Sequence, residues 1–302
     1  MKVAVKRKKW IIAALCLIGA GIITAAAGYF LSGKDIMALN SRETIRSTYD
    51  VAGDFSGISV AAPSADVRIL PSDDGKCRVV TSAPDEMKCY YGIENGTLKI
   101  IVMDSAEWYG VSICIASPSI TLYLPQGRYE NIEVRTNSGG ISVEQGVEAG
   151  TATLRSSSGR ISCGANLTDA LDIKSNSGKI DVSGVRGAAV TLDSGSGKLV
   201  FTDSTPSSAQ LSSRSGRVEL KNVVAAERLT ATSSSGAVRM ESCDAGSIYA
   251  ETSSGSIYGL LLSAKSFKAE STSGRVRVPE SADGGECEAR TSSGSITFAL
   301  VD

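Results

Sequence analysis

Residues 136–143 read TNSGGISV and residues 291–298 read TSSGSITF, and the same phrase recurs seven more times between these two copies. Its glycines are Gly139, Gly159, Gly178, Gly197, Gly216, Gly236, Gly255, Gly274 and Gly294, so the spacing is always 19 or 20 residues. So regular a period marks stacked repeats, in which each unit buries its apolar face only against its neighbours.

Aligning the phrases on their glycine turns the chain into columns. Two residues after the glycine stand Ile141, Ile161, Ile180, Leu199, Val218, Val238, Ile257, Val276 and Ile296, and the column at +4 is also apolar except at Gly259. Before the glycine, position −5 runs from Val134 and Leu154 to Ala289, and position −7 from Ile132 to Phe267 and Cys287. The positions between them are mostly charged or hydroxylated. Alternation of period two on both sides of a turn means two half-buried strands per repeat. The fold class is therefore all-β: a parallel β-solenoid of nine 19–20-residue coils over residues 131–302, stacked at about 4.8 Å.

Position −3 is always Ser or Thr and position −1 is always Ser. Since −3 is in phase with −5 and −7, its hydroxyl should face inward and bond backbone or neighbouring hydroxyls along the stack. A water-facing hydroxyl ladder is the alternative, and the inward phase speaks against it. The corner glycine is expected to supply a positive φ without steric cost. Alanines at −5 from Ala231 onward imply a narrower interior there, partly filled by Ile248 and Phe267. The last phrase ends at Phe298, so an open sheet edge is expected there, covered by residues 299–302 or paired end to end with another molecule.

Ahead of the repeats, Ile58, Val60, Val67 and Ile69 keep the same offsets around Ala65, which reads as a degenerate first coil. Between Pro71 and Glu130 the phrase is lost, but KCRVV, TLKIIV, VSICIA and ITLYLP read as strands. Asn95-Gly96 signals a tight hairpin. Residues 55–130 are expected to form a β-rich cap, in which Trp108 and Tyr109 are either packing or a binding surface. Residues 32–54 read as a stalk.

The first nine residues carry Lys2, Lys6, Arg7, Lys8 and Lys9, and residues 10–31 carry no charge. That run is long enough to span a bilayer, which needs about 20 apolar residues. Trp10 and Tyr29 suit the two interfaces, and the basic cluster implies a cytoplasmic N-terminus at 1–9, with the remainder outside the cell. The small residues Ala25 to Ala27 would also suit a signal peptidase, but the run is longer than a signal peptide's apolar core. A lipoprotein signal is excluded because Leu15 before Cys16 is the wrong size.

The chain holds no histidine, which excludes Ser-His-Asp and Cys-His catalysis and imidazole metal ligation. Seven scattered cysteines include no CxxC pair. Cys163 and Cys287 occupy apolar columns and should be buried, while Cys77 and Cys89 could pair in the cap on an oxidising side. No catalytic, metal or cofactor site is expected, and the near-neutral charge and absence of phosphate-cradling loops argue against a nucleic-acid partner.

One outward column is chemically distinct. Position +1 carries Arg160, Lys179, Lys198 and Arg217 in successive coils, and later Arg275. Stacked, they form a candidate contact for an anionic polymer such as a teichoic acid, or for a phospholipid surface; the plainer reading is a solvated face relieved by nearby acids. Glu251 and Glu270, at −4 in consecutive repeats, are the carboxylate pair that a glycan-active enzyme would need.

The repeat [LIV]-x-[LIVA]-x-[ST]-x-S-G-x-[IVL]-x-[VF], with SADVRI, NGTLKI and ITLYLP before it, resembles the candidate-adhesin family of bacterial β-strand-repeat proteins. That family is a domain of unknown function that includes the LiaG-like envelope proteins, and the resemblance covers residues 55–300. It implies an extracytoplasmic, often membrane-anchored β-solenoid and supplies no catalytic residues. The expected function is a non-enzymatic, single-pass surface protein acting in adhesion, scaffolding or envelope-stress sensing, with its C-terminal domain extracellular. Its expected partners are the membrane and a cell-wall polymer or another envelope protein. A carbohydrate-active enzyme, or a sensory partner of another membrane protein, are the alternatives.

Overall fold

The structure is a computed structural model that describes residues 17, 18, 21, 24, 44–84, 87–104, 118–280 and 283–301. The strands are β1 (Thr44–Val51), β2 (Gly57–Ala61), β3 (Asp66–Pro71), β4 (Cys77–Pro84), β5 (Met87–Glu94), β6 (Thr97–Asp104), β7 (Ser119–Leu124) and β8 (Arg128–Arg135). In the repeats follow β9 (Ile141–Val143), β10 (Glu148–Ser156), β11 (Ile161–Cys163), β12 (Asn166–Ser175), β13 (Ile180–Ser183), β14 (Ala189–Ser194), β15 (Leu199–Ser204) and β16 (Ser208–Ser213). The last are β17 (Val218–Ser233), β18 (Val238–Thr252), β19 (Ile257–Leu261), β20 (Ser266–Ser271), β21 (Val276–Arg277), β22 (Glu286–Thr291) and β23 (Ile296–Leu300).

The repeats stack in parallel as the columns require. Residues before each corner build one sheet, with Leu154 opposite Ile173 and Ile173 opposite Leu192. Residues after it build a second sheet, with Ile161 opposite Ile180 and Ile180 opposite Leu199. The apolar columns meet between the two sheets, where Leu154, Ile173, Leu192, Ile161, Ile180 and Leu199 are fully buried. Each such side chain contributes about 1.5–3 kcal/mol of gross burial. Cys163 and Cys287 are buried among them, as their columns demand.

The −3 hydroxyl closes each corner. Ser194 Oγ accepts the Gly197 N–H at 2.9 Å, and Ser213 Oγ accepts the Gly216 N–H at 2.9 Å. The same hydroxyl also donates to the glycine carbonyl of the coil before, as Ser233 does to Gly216 at 3.0 Å and Thr252 to Gly236 at 3.0 Å. One buried hydroxyl thereby satisfies a donor in its own coil and an acceptor in the coil before. The −1 serines differ: Ser158, Ser177, Ser196 and Ser215 are exposed, so only the −3 column faces in.

The reason for glycine at the corner differs from the expected one. None of the corner glycines has a positive φ. A Cβ on Gly197 would instead lie 1.9 Å from the carbonyl oxygen of Gly178, and one on Gly216 would lie 1.9 Å from that of Gly197. Close stacking, not left-handed backbone, excludes every side chain there. Positive φ occurs six residues later, at the bend into the return segment, in Gly184, Asp203, Asn222 and Ser242. Asp and Asn tolerate that conformation through short polar side chains, and Asn222 Nδ2 donates to Asp203 Oδ1 at 2.8 Å.

Both ends of the stack depart from chain order. At the N-terminal end β2 lies between β6 and β8, and β3 between β7 and β9. The degenerate coil is real: Ile58, Val60, Val67 and Ile69 are buried, and the Ala65 carbonyl lies under Gly139. Antiparallel strands then cover this end, β5 on β6, β4 on β7 and β1 on β4. The β5–β6 turn is Asn95-Gly96, with φ of 49° and 72°.

At the other end the coil containing Gly294 inserts between those of Gly255 and Gly274. Ile248 lies opposite Cys287, and Cys287 opposite Phe267; in the second sheet β23 separates β19 from β21. The more apolar coil is thus the one enclosed: Cys287, Ala289 and Ile296 are fully buried, whereas Val276 and Val278 are left 37% exposed. Gly259, the break in the +4 column, is explained by this order. It stands opposite Phe298, whose ring atoms lie 2.3 Å from where a Cβ would be. Phe298 in turn packs on Phe267 at 5.5 Å between ring centroids. Among the described residues the outermost coil is therefore that of Gly274, not the last phrase at which an open edge is expected.

Gly284 and Gly285 pack against the carbonyls of Ala264 and Gly246 on either side, letting the inserted segment slip between the coils. Across it reaches Lys265, 4% exposed, whose ammonium contacts Asp244 Oδ1 at 2.6 Å and donates to the Ala245 carbonyl at 2.7 Å. This buried strut ties the outermost coil to the body of the stack.

Of the expected 10–31 anchor, Leu17, Ile18, Gly21 and Thr24 are helical and the rest lies outside the described residues. Among the described residues no helix is long and apolar enough to cross a membrane. Trp108, Tyr109 and the VSICIA stretch also lie outside them. Cys77 and Cys89 are free thiols, on strands of opposite sheets.

Candidate functional site

The +1 cations emerge where each corner releases the chain into the second sheet. Their backbones are joined in succession: Ile161 N–H donates to the Lys179 carbonyl at 2.9 Å, Ile180 to Lys198 at 3.0 Å, and Leu199 to Arg217 at 2.9 Å. Arg160, Lys179, Lys198 and Arg217 thus form one straight row about 14 Å long at the strand spacing of a sheet. The row ends there. Ala237, Ser256 and Ser295 follow along the stack, and the shifted order places Arg275 beyond Ser295, not next to the row.

Two carboxylates interleave with the cations from position +3. Lys179 pairs with Asp181, while Glu219 receives both Lys198 at 2.5 Å and Arg217 at 3.3 Å. Burial pushes the Glu219 carboxyl up, but the hydrogen bonds and charges of Lys198 and Arg217 outweigh it and hold the group below its ordinary value. Arg160 makes no ion pair with a described residue. It borders a shallow groove with Asp66, Arg68, Ser142 and Ser162, in which Arg68 is a further cation, aligned with Ser142 in the +3 column and outside the row. Exposed pairs of this kind are weak, about 0–1 kcal/mol each, so the cations can exchange them for anionic groups of a ligand.

A second row escaped the sequence reading. On the other sheet Arg135, Arg155 and Lys174 are register partners in successive coils. Arg135 pairs with Glu133 at 2.6 Å, and Arg155 pairs with Asp172 and donates to its carbonyl at 2.9 Å. Reading position −4 as a column would have found them.

Glu251 and Glu270 border one groove, but they are not neighbours in the stack. Glu251 and Glu270 both lie opposite Arg290, which occupies the strand between them. They are therefore two strands apart, about 9.6 Å, with a cation between, and Glu251 accepts a hydrogen bond from the Tyr249 hydroxyl at 2.7 Å. Among the described residues no cluster of Cys, Asp and Glu is placed to hold a metal ion.

Residues 55–257 and 202–302 match the family model Toastrack DUF4097. No curated protein matches the sequence. Among solved structures, a candidate adhesin from Bacteroides fragilis NCTC 9343 is 16% identical, with 86% of this chain and 99% of that one covered and a TM-score of 0.42. A candidate lipid binding protein from Parabacteroides distasonis ATCC 8503 is 17% identical, with 84% and 96% covered and a TM-score of 0.45. A candidate cell adhesion protein from Clostridium sporogenes ATCC 15579 is 12% identical, with 86% and 100% covered and a TM-score of 0.27.

Proposed function

We propose, from the premise that this chain belongs to the Toastrack DUF4097 family, that it is a non-enzymatic envelope protein whose solenoid is displayed outside the membrane and holds an anionic wall polymer. The observation that carries this reading is the continuous row Arg160, Lys179, Lys198 and Arg217, joined backbone to backbone on an outer face. A polymer with regularly spaced phosphates or carboxylates meets such a row with many weak, exchangeable contacts, which suits adhesion or scaffolding better than turnover. The basic residues 2–9 and uncharged residues 10–31 support a single-pass anchor with a cytoplasmic N-terminus.

The test replaces the four cations with Gln in intact cells. Protease added outside should digest the solenoid of both proteins, and retention on isolated walls should fall for the variant only. Retention equal to wild type removes the polymer-binding role, and protection from external protease removes the surface location.

A further inference from the structure

The sheet built before the corners changes character along its outer face. One row of register partners crosses it: Tyr90 stands opposite Ile101, Ile101 opposite Ala61, Ala61 opposite Arg135, Arg135 opposite Arg155, and Arg155 opposite Lys174. Beyond Lys174 the row continues with Asp193, Ser212 and Thr232. It is thus apolar on the cap strands β5 and β6, cationic over the coils that follow, and acidic or neutral after that. Tyr90 is 53% exposed, Ile101 40%, and Met103, on the same face of β6, 55%. Lys88 stands opposite Met103, so cations border the apolar side chains on more than one side.

We infer that this end of the sheet rests on an anionic phospholipid surface. Tyr90, Ile101 and Met103 enter the headgroup region, and Arg135, Arg155 and Lys174 meet lipid phosphates. An apolar cluster bordered by cations is what an interfacial site requires, since the ring and aliphatic groups leave water while the charges stay at phosphate level. From Tyr90 to Lys174 the row is about 24 Å long at the strand spacing of a sheet, and its first acid, Asp193, lies past that stretch. A merely solvated face needs neither this order nor an apolar end. Glu133 and Asp172 pair with Arg135 and Arg155 from the adjoining row, and such partly exposed pairs are weak enough for lipid phosphates to replace them.

Chain length keeps the lipid within reach. Here the inference rests on the reading of residues 10–31 as a membrane anchor. Only residues 32–43 then separate the bilayer from β1, at most about 40 Å of extended chain, and β1 is a cap strand. The Arg160 row lies on the other sheet, so a solenoid held to lipid by this face leaves that row turned to the wall.

The experiment reconstitutes the full chain into phosphatidylcholine vesicles with or without phosphatidylglycerol. Hydroxyl-radical footprinting, read by mass mapping, compares Tyr90, Ile101 and Met103 with Tyr258, an exposed side chain on the other sheet. With phosphatidylglycerol present, labelling of the three slows by about fivefold or more relative to Tyr258, and Arg135→Gln/Arg155→Gln/Lys174→Gln abolishes the difference. Washing with alkaline carbonate tests the anchor separately. A chain that survives the wash but is labelled equally in both vesicles overturns the docking and leaves the anchor standing, as does protection that the triple variant does not reduce. Release by carbonate removes the anchor, and with it the tether on which the docking depends.

Discussion

Replacing Gly197 with alanine probes what builds the stack. The new Cβ would sit 1.9 Å from the Gly178 carbonyl oxygen and 2.9 Å from Ser194 Oγ. Restoring ordinary contact requires the two coils to part by about 1.5 Å at this corner. Three bonds cross or close it: Gly197 N–H to Ser194 Oγ at 2.9 Å, Ser196 N–H to the Asn176 carbonyl at 2.8 Å, and Gly195 N–H to the Ser175 carbonyl at 3.0 Å. At about 1 kcal/mol each, with some exposure of the core beneath, the expected loss is about 3–5 kcal/mol. Urea unfolding followed by circular dichroism measures it, with Gly127→Ala as the control. Gly127 is exposed, has no positive φ, and would bring its Cβ near nothing. A Gly197→Ala loss below about 1 kcal/mol, or one no larger than the control's, would refute close stacking as the reason for glycine.

Asp244→Asn removes the charge that balances buried Lys265 and should destabilise the protein by about 3 kcal/mol, loosening the outermost coil first; faster hydrogen exchange across Ser266–Ser271 than across β14 reads it. The Asp244 carboxyl is raised by burial but lowered more by Lys265, Ser263 and the Ala245 N–H, and lies below its ordinary value. Its stabilising contribution is therefore complete above the unfolded carboxylate range and disappears as pH falls through the lowered value. The stability gap between wild type and Asp244→Asn should be full at pH 7 and close below about pH 4; a gap that stays constant with pH would contradict the strut. Burial raises the Cys163 and Cys243 thiols to about 11, so in the native protein at pH 8 iodoacetamide should spare both and, of the described cysteines, react first with half-buried Cys89, as mass mapping would show.

Period and phase made the repeats legible. Apolar residues at +2, +4, −5 and −7 specify two strands and their inner faces, and the phase of −3 gives the buried hydroxyls. What resisted reading was order. Nothing in the spacing tells the coil of Gly274 to stand outside that of Gly294, because neighbouring repeats offer almost the same edge to the strand before them. The signals were single residues that broke the pattern: Gly259, shaped by Phe298, and Gly284-Gly285, which admit the inserted segment. That order undid the stacking of Glu251 on Glu270 by setting Arg290 between them, and among the described residues it made β20 the outermost strand. The cation row survived because it lies in the middle of the stack, where chain order and spatial order agree. Its partial neutralisation by Asp181 and Glu219 is the relief by nearby acids that the plainer reading of the column expects.

The central claim is that function resides in the outward row of Arg160, Lys179, Lys198 and Arg217. Its most direct test is titration of purified wall teichoic acid against wild type, the four-Gln variant of that row, and Arg135→Gln/Arg155→Gln/Lys174→Gln on the opposite face. The account predicts at least about tenfold weaker binding and a shallower salt dependence for the first variant, with the second close to wild type. Equal losses in the two variants, or no loss in either, would contradict it.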